Sequence, residues 1–311
     1  MEFIHKSVLY DEVIEGLGIK ENGIYVDGTL GGGGHASGIC QKLSKDGIFI
    51  GIDRDKEALE VASKRLETYE CKKHFVQSNY SDIKEVLKDL EIDGIDGAIL
   101  DLGVSSYQLD NPERGFSYMH DAKLDMRMNQ DDTFTAYNVV NEYSEDELKD
   151  IFYRYGEERW SARIAKFIVE RRKDKLIETT FELVDAIKAA IPKDVRRDGP
   201  HPAKRVFQAI RIEVNNELGG LESAVEDFIN VLNHEGRLAV ITFHSLEDRI
   251  VKEIVQKHIN PCTCPKEFPI CVCGKVPDIK KKSGKPIIPS EKELMENPRS
   301  RSAKLRIVEK I

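Results

Sequence analysis

Short β-branched runs alternate with helical patterns along residues 24–101 of this 311-residue chain. Strand character occurs at 24–26, 48–52, 74–76 and 98–100, and the stretches between these runs place apolar residues at helical spacing. This alternation indicates βαβ units, in which parallel strands form one sheet covered by helices on both faces. The pattern therefore predicts an α/β fold.

The strand rhythm stops after Leu102, and residues 110–211 show helical signals without a convincing strand. Two capping boxes support this interpretation, Ser144 with Glu147 and Thr179 with Glu182. A long amphipathic pattern then runs from 203 to 232, a turn is predicted at 233–236, and strands are predicted at 238–243 and 304–308. We therefore predict a sheet domain in two parts, 1–109 and 212–311, interrupted by an inserted helical domain at 110–211.

Composition narrows the class of protein. Hydrophobic residues make up 40% of the chain, which is enough for a packed core, and the net charge of −8 argues against polyanion binding by a global positive field. No apolar run approaches the roughly 18–20 residues of a membrane span. Six cysteines without a secretory signal suggest reduced thiols, so we expect a cytoplasmic enzyme without membrane association.

The strongest local signal is the sequence from Val26 to His35, in which four consecutive glycines separate a strand from a helix. Such a loop lets the backbone approach a nucleotide and leaves helix N–H groups available. The spacing also fits a dinucleotide fingerprint. Asp27 favours S-adenosylmethionine over NAD, because a carboxylate can hold a cationic amino acid moiety but repels a pyrophosphate. Asp53, at the end of the second strand, is placed to accept from ribose hydroxyls.

Polar residues also follow the third and fourth strands. Tyr80 can lie against an adenine or simply pack in the core, and Asp101 can contact a ligand or simply form a turn. Ligands of open parallel sheets bind at the carboxyl ends of the strands. We therefore expect both side chains near the cofactor.

These motifs together resemble the bacterial MraW/RsmH family of 16S ribosomal RNA cytosine-N4 methyltransferases. The blocks that carry the resemblance span nearly the whole chain in order and are Asp27–Thr29, Gly32–His35, Asp101–Asp110, Glu113–Ser117, Leu124–Met128, Tyr155–Glu158, His201–Ala203, Phe243–Arg249 and Asn297–Ser302. The resemblance implies a Rossmann-like class I methyltransferase sheet with an inserted all-helical, substrate-binding domain. It also implies methylation of a cytidine in the decoding region of the small ribosomal subunit.

The cofactor contacts implied by the resemblance, together with the glycine loop and its aspartate, form a set that we carry into the structure. Its members are Asp27, Gly32, Gly33, Gly34, His35, Asp53, Tyr80, Asp101 and Gln108. The match at Tyr80 is loose, because the family has Phe or Tyr there. Many amino-methyltransferases have a Pro-Pro-aromatic motif after the fourth strand, whereas this chain reads Asp101-Leu102-Gly103-Val104, so the mechanism cannot simply be transferred.

Methylation of an exocyclic amine depends mainly on positioning and electrostatics. We hypothesise that Asp101 accepts a hydrogen bond from the amine. Asp125 and His244 are secondary catalytic candidates, and a purely structural role for His244 stays open. An aromatic side chain among Phe116, Tyr118 and Tyr137 can stack on an exposed base, although core packing is the favoured role of any single one of them.

Basic residues cluster locally although the net charge of the chain is negative. Residues 192–211 hold six Lys/Arg against two Asp/Glu, and comparable excesses occur at 151–175 and 279–306. Such patches suit RNA phosphates but are also common on solvated helices. The residues that we expect to contact 16S rRNA or the small subunit are Arg196, Arg197, Lys204, Arg205, Arg299 and Arg301.

A compact cluster in the tail comprises Cys262, Cys264, Cys271 and Cys273. Four thiolates can bind Zn²⁺, although the Cys-x-Cys spacing differs from the usual Cys-x2-Cys, so structural zinc is an open alternative. Three other functions also stay open: a methyltransferase for small molecules or proteins, a non-catalytic RNA-binding assembly factor, and a dehydrogenase, which Asp27 disfavours. The oligomeric state is likewise open, a homodimer included.

Overall fold

The computed structural model describes residues 7–197, 201–265 and 270–311. The chain forms two compact units, one of Met1–Gly103 with Gly220–Ile311 and the other of Val104–Gly219. We call them the sheet unit and the helical unit. The helical unit is wider than the predicted 110–211, because Val104, Leu109 and Val214 pack against its hydrophobic core.

The sheet unit is built on seven strands. They are β1 Ile24–Asp27, β2 Ile48–Asp53, β3 Lys72–Gln77, β4 Ile95–Asp101, β5 Leu232–Thr242, β6 Ile279–Lys281 and β7 Lys304–Lys310. Their order in the sheet is β3-β2-β1-β4-β5-β7-β6. The pairs from β3 to β5 are parallel, whereas β7 is antiparallel to both β5 and β6. The α/β fold class with a Rossmann-like sheet is therefore confirmed.

Thirteen α-helices lie in the described residues. They are α1 Tyr10–Leu17, α2 Gly34–Lys42, α3 Lys56–Leu66, α4 Ile83–Asp89, α5 Ser106–Asp110, α6 Ala136–Glu142, α7 Glu145–Arg154, α8 Ser161–Asp174, α9 Thr180–Ala190, α10 Lys204–Asn215, α11 Leu221–Val231, α12 Ser245–Ile259 and α13 Glu291–Glu296. Helices α5–α10 belong to the helical unit and the others to the sheet unit. None of these helices, within the part of the chain that the structure describes, has the length and apolarity needed to cross a membrane.

Local sequence signals explain where the helices of the helical unit begin. Both predicted capping boxes are present, with Ser144 and Glu147 opening α7 and Thr179 and Glu182 opening α9. In each box the hydroxyl accepts an N–H of the first turn and the glutamate accepts the N–H of the capping residue. Described residues of this unit form no strand beyond an isolated bridge between Lys123 and Thr179.

The structure divides one predicted amphipathic segment into two helices and corrects one predicted turn. The amphipathic pattern from 203 to 232 is not continuous, because Asn216 adopts the left-handed region at φ 47° and ends α10 before α11 begins. The turn predicted at 233–236 lies inside β5, where Glu235 has φ 63° and the pairing with β4 shifts register between Ile95 and Gly97. A β-bulge therefore replaces the turn.

Candidate functional site

Three strands that are adjacent in the sheet end in aspartate. Asp53 ends β2, Asp27 ends β1 and Asp101 ends β4, and these strands lie in the order β2-β1-β4. Because the strands are parallel, their carboxyl ends share one edge of the sheet, where open α/β folds bind ligands. The structure thus brings three of the predicted site residues together.

Two of these carboxylates hold the glycine loop that follows β1. Asp27 Oδ1 accepts the N–H of Thr29 at 3.1 Å, and Asp53 Oδ2 accepts the N–H of Gly31 at 2.7 Å. Asp53 also accepts the N–H of Asp55 at 2.9 Å through its other oxygen. Asp27 is only 2% exposed and holds the loop through this buried hydrogen bond.

Two neighbouring glycines of this loop have different roles: the backbone conformation at Gly33 favours glycine, whereas Gly32 leaves open space. Gly33, which precedes α2, has φ +75°, and a Cβ there would lie 3.1 Å from the Cβ of Ala62. A Cβ on Gly32 would instead meet only the end of Arg65, at 3.9 Å. No side chain caps the N-terminus of α2. Within the described residues, the loop therefore presents open backbone at Gly32 and a helix start without a side-chain cap, as a nucleotide cradle needs.

Asp101 has an incompletely satisfied carboxylate. Its backbone N–H donates to Thr29 Oγ1 at 2.6 Å, which ties the end of β4 to the glycine loop. Its Oδ1 atom is buried and has no hydrogen-bond partner, and its Oδ2 atom lies 3.7 Å from His35 Nδ1. A buried acceptor without a donor is costly, so it points to a donor or cation that a ligand supplies.

His35 is a buried neutral imidazole at the start of α2. Its Nε2 lies 3.0 Å from the carbonyl oxygen of Val8, and because a carbonyl only accepts, Nε2 carries the proton. Burial lowers the pKa of His35 to about 4. Its Nδ1 is therefore an acceptor that faces Asp101 and cannot neutralise an ionised carboxylate there.

The pKa values of the three carboxyls are raised. Burial, with the nearby charges of Asp27 and Glu247, raises the pKa of Asp101 to about 8. Burial also raises the pKa of Asp27 to about 7 and that of Asp53 to about 6, although backbone hydrogen bonds oppose the shift in both cases. The site thus concentrates negative charge that a bound cation would stabilise.

These shifts predict a pH dependence of stability. A carboxyl whose pKa is raised on folding stabilises the protein below its unfolded pKa, and this stabilisation is lost as pH rises through the folded value. Between pH 6.5 and 8.5 we expect the free energy of unfolding of the ligand-free protein to fall by about 2 kcal/mol relative to Asp101→Asn. Urea denaturation of both proteins across this range measures the difference. If the free energies of unfolding of the two proteins change with pH in parallel, the raised pKa of Asp101 is contradicted.

Tyr80 and His244 also follow strands of the sheet unit. Tyr80 begins a 3-10 helix, Tyr80–Asp82, and packs over the glycine loop, because a Cβ on Gly28 would lie 3.2 Å from the Cβ of Tyr80. His244 caps α12, where its Nδ1 accepts the N–H of Glu247 at 3.4 Å and its Nε2 lies 3.0 Å from Glu247 Oε1. The structure therefore places Tyr80 beside the loop and gives His244 a capping role.

The remaining predicted catalytic and cofactor residues, Gln108 and Asp125, lie in the helical unit and form hydrogen bonds within it. Gln108 is buried and forms a capping box with Ser105 at α5. Asp125 accepts from Arg127 at 2.7 and 2.9 Å, and although burial opposes it, this pairing holds the pKa of Asp125 below its ordinary value. An ionised carboxylate committed to a guanidinium is a poor proton acceptor.

The three candidate base-stacking aromatics lie in or against the core of the helical unit. Phe116 is buried in that core, and Tyr137 packs against it. Tyr118 stacks on His201 with ring centroids 4.5 Å apart and meets Phe207 edge-on at 5.7 Å. The packing of all three is therefore accounted for without a base.

The basic patches differ in how far local acids neutralise them. In the tail, Lys280 and Lys282 pair with Glu309, and Lys304 and Arg306 pair with Asp248. Arg299 and Arg301, two tail residues that we expected to contact RNA, are exposed on a 3-10 helix. In the helical unit Arg197, Lys204 and Arg205 are exposed and Arg196 is half-buried. Several basic side chains of the tail are thus paired with local acids, and Lys204 and Arg205 lie exposed at the start of α10.

The four tail cysteines converge. Their Sγ atoms all lie within 4.8 Å of one another, although the residues belong to two separate Cys-x-Cys arms. Cys40 and Cys71 are buried in the sheet unit, away from this cluster in sequence.

Three residues that support the site were missed by sequence reasoning. Thr29 accepts from the backbone of Asp101, Arg65 donates to the carbonyl of Gly32 at 2.7 Å, and the charge of Glu247 raises the pKa of Asp101. Glu247 was detectable, because it stands three residues after His244 in the spacing of a capping box. Arg65 carries no local signal, since its contact depends on the packing of α3 against the loop.

A family model described as the MraW methylase family matches residues 2–311. The protein named "Ribosomal RNA small subunit methyltransferase H" is 59% identical in Clostridium botulinum (strain Loch Maree / Type A3) and 57% identical in Clostridioides difficile (strain 630), each over 311 residues and 100% of both chains. A crystal structure of an rRNA methylase from Streptococcus thermophilus aligns with 97% of this chain and 93% of its own at 12% identity and a TM-score of 0.41, a likeness too weak to support an inference.

Proposed function

Because the chain belongs to the MraW methylase family, we propose that it transfers a methyl group from S-adenosylmethionine to N4 of a cytidine in the decoding region of 16S ribosomal RNA. The family predicted from the motifs is confirmed. The observation that carries the chemical part of the proposal is the buried, unsatisfied Oδ1 of Asp101 at the end of β4, beside the glycine loop. We place the reaction in the cytoplasm.

The residues at the sheet edge fit the methyl donor. When bound, S-adenosylmethionine supplies an electrophilic methyl group on a positively charged sulfur. The open backbone at Gly32 and the uncapped start of α2 suit its polar groups, and the partly exposed Asp53 suits its ribose hydroxyls. Asp27 would act through the loop, because its burial leaves little carboxylate surface for a ligand.

Asp101 is the proposed proton acceptor. As the N4 amine takes the methyl group, its nitrogen becomes positively charged and must lose a proton, which we assign to Asp101. Burial raises the pKa of this carboxyl to about 8, close to cytoplasmic pH, where a proton acceptor is most effective. His35 would offer Asp101 no proton, because its one ring proton is on Nε2, which donates to the carbonyl oxygen of Val8.

The other predicted residues receive supporting roles. We propose that Asp125 fixes the loop around Arg127, since both its oxygens are occupied there, and that His244 and Glu247 fix the start of α12. Gln108, which is implied to contact the cofactor, is held by its capping box. The proposed chemistry needs no metal, so zinc would have a structural role only.

RNA recognition is assigned to the helical unit. Lys204 and Arg205 begin α10 and are exposed, and Arg197 lies on the segment before it. Arg205 is anchored by donating to the carbonyl of Glu157 at 2.8 Å, which leaves its charge at the surface. Arg299 and Arg301 would add phosphate contacts from the sheet unit.

Removing these charges should weaken RNA binding in a salt-dependent way. For the triple variant Arg197→Ala/Lys204→Ala/Arg205→Ala, we expect affinity for small ribosomal subunits to fall about tenfold or more. The slope of log affinity against log salt should become shallower by about one for each phosphate that the variant no longer neutralises. Filter binding at several salt concentrations measures both quantities.

A matched control uses exposed lysines that already pair with acids on their own helices, Lys149 with Asp146 and Lys166 with Glu170. Lys149→Ala/Lys166→Ala should leave the slope unchanged, and S-adenosylmethionine affinity should be unchanged in both proteins. An unaltered slope in the triple variant would remove this surface from RNA binding.

The function is tested by transfer of a labelled methyl group to four acceptors: small subunits lacking the modification, naked 16S rRNA, total cell protein and a small-molecule extract. We expect label in the rRNA of the first or second sample. Label confined to protein or small molecules would overturn the substrate assignment, and absence of S-adenosylmethionine binding in calorimetry would indicate a non-catalytic assembly factor.

A further inference from the structure

We propose that Cys262, Cys264, Cys271 and Cys273 bind one structural zinc ion. Their Sγ atoms all lie within 4.8 Å of one another. The Sγ of Cys271 lies 3.4 Å from that of Cys273, 3.5 Å from that of Cys262 and 3.9 Å from that of Cys264. Tetrahedral zinc with Zn–S bonds of about 2.3 Å holds its sulfurs about 3.8 Å apart. The cluster therefore has the size of a four-thiolate zinc site.

Hydrophobic packing does not explain why the sulfurs converge. Cys262 and Cys271 are exposed, and the neighbouring side chains of Ile270 and Val272 are 74% and 71% exposed. Unliganded cysteines are normally among the most buried residues. Four sulfurs gathered at the surface, without an apolar core around them, instead fit a metal that the thiolates hold.

The backbone around the cluster supports the same assignment. Each arm has the form Cys-x-Cys, and the backbone N–H of Val272 in the second arm donates to Cys264 Sγ in the first at 3.3 Å. Such N–H···S hydrogen bonds stabilise the thiolate form that binds metal. Gly274 follows the second arm at φ +68°, a left-handed conformation that glycine adopts readily, and its Cβ position is open.

The position of the cluster shows what the metal would do. The described residues between α12 and β6 form neither helix nor strand. The base of this segment is closed, because His258 Nδ1 lies 2.9 Å from Asp278 and the N–H of Ile311 donates to the carbonyl of Asp278 at 2.9 Å. Beyond that base, the sulfur cluster and the hydrogen bond from Val272 to Cys264 join the two arms. Zinc would thus fix a surface loop on the sheet unit, independently of the proposed methyl transfer.

Metal analysis of protein purified under reducing conditions without chelator tests the proposal directly. We expect one zinc per chain by mass spectrometry, and about one cobalt per chain with the visible absorption of tetrahedral thiolate coordination after exchange with Co²⁺. Cys264→Ser/Cys271→Ser should contain no zinc. The matched control Cys40→Ser/Cys71→Ser, which alters buried cysteines elsewhere, should retain it.

A second measurement keeps the test independent of the folding of the variants. Chelation of the wild-type protein should release zinc and make the chain cleavable by trypsin after Lys275, and added Zn²⁺ should restore protection. Reduced wild-type protein that binds no stoichiometric Zn²⁺, or a native disulfide among the four cysteines in freshly isolated protein, would overturn the proposal.

Discussion

Asp101→Asn should lower the kcat of methyl transfer by about a hundredfold or more while leaving the protein folded and, at pH 8, more stable. The amide cannot take the proton that the attacking amine loses, and general base catalysis typically contributes a factor of about 10²–10⁴. The same change removes a buried carboxylate with an unsatisfied oxygen, whose pKa is raised to about 8 mainly by burial. Activity and stability should therefore change in opposite directions.

Steady-state kinetics and urea denaturation of the same preparations separate these two effects. The matched control is Asp93→Asn, an exposed aspartate before the other end of β4, which should change neither quantity. If Asp101→Asn retains near-normal kcat, Asp101 has no role as proton acceptor. If it loses both activity and stability, the carboxylate is structural.

Gly32→Val should lower the affinity for S-adenosylmethionine about thirtyfold or more with little change in thermal stability. A Cβ at this position meets only the end of Arg65, at 3.9 Å, so the folded protein has room for a Cβ there. The room that it fills is the open face of the glycine loop, where we place the cofactor. Isothermal titration calorimetry and thermal unfolding measure the two effects.

Valine substitutions at two other glycines serve as controls for Gly32→Val. Gly284→Val is the neutral control, because nothing lies within 4 Å of its Cβ position and it is far from the loop in sequence. Gly33→Val should instead destabilise the protein, since φ +75° strains any residue with a branched Cβ and Ala62 is 3.1 Å away. Unchanged cofactor affinity in Gly32→Val would exclude this face of the loop from the site.

Much of the sheet unit was predictable from local sequence, because period and composition determine its strands and helices. The strands ending at Asp27, Asp53 and Asp101 were recognised by their β-branched runs, and the helix from Lys56 to Leu66 by its apolar spacing. The short strand Ile279–Lys281 was missed, since it is three residues long and forms only by pairing with β7.

The sequence predicted which residues gather at this edge of the sheet better than it predicted their depth and their hydrogen bonds. Parallel topology alone placed the three aspartates on one edge, whereas the depth of each carboxylate depends on tertiary packing. The burial of Asp27, which is only 2% exposed, was not apparent from the sequence, and its contact with the cofactor stays a prediction. The predicted role of Asp125 depended on a free carboxylate, and its neighbour Arg127 occupies both oxygens.

The most direct test of the proposed reaction is the identity of the methylated nucleoside. Small ribosomal subunits lacking the modification are incubated with the purified protein and S-adenosylmethionine, and the 16S rRNA is digested for mass spectrometry. We expect N4-methylcytidine with the wild-type protein and almost none with Asp101→Asn. A product methylated on ring carbon or ribose, or no methylated cytidine at all, would contradict the assignment of the N4 amine as the acceptor.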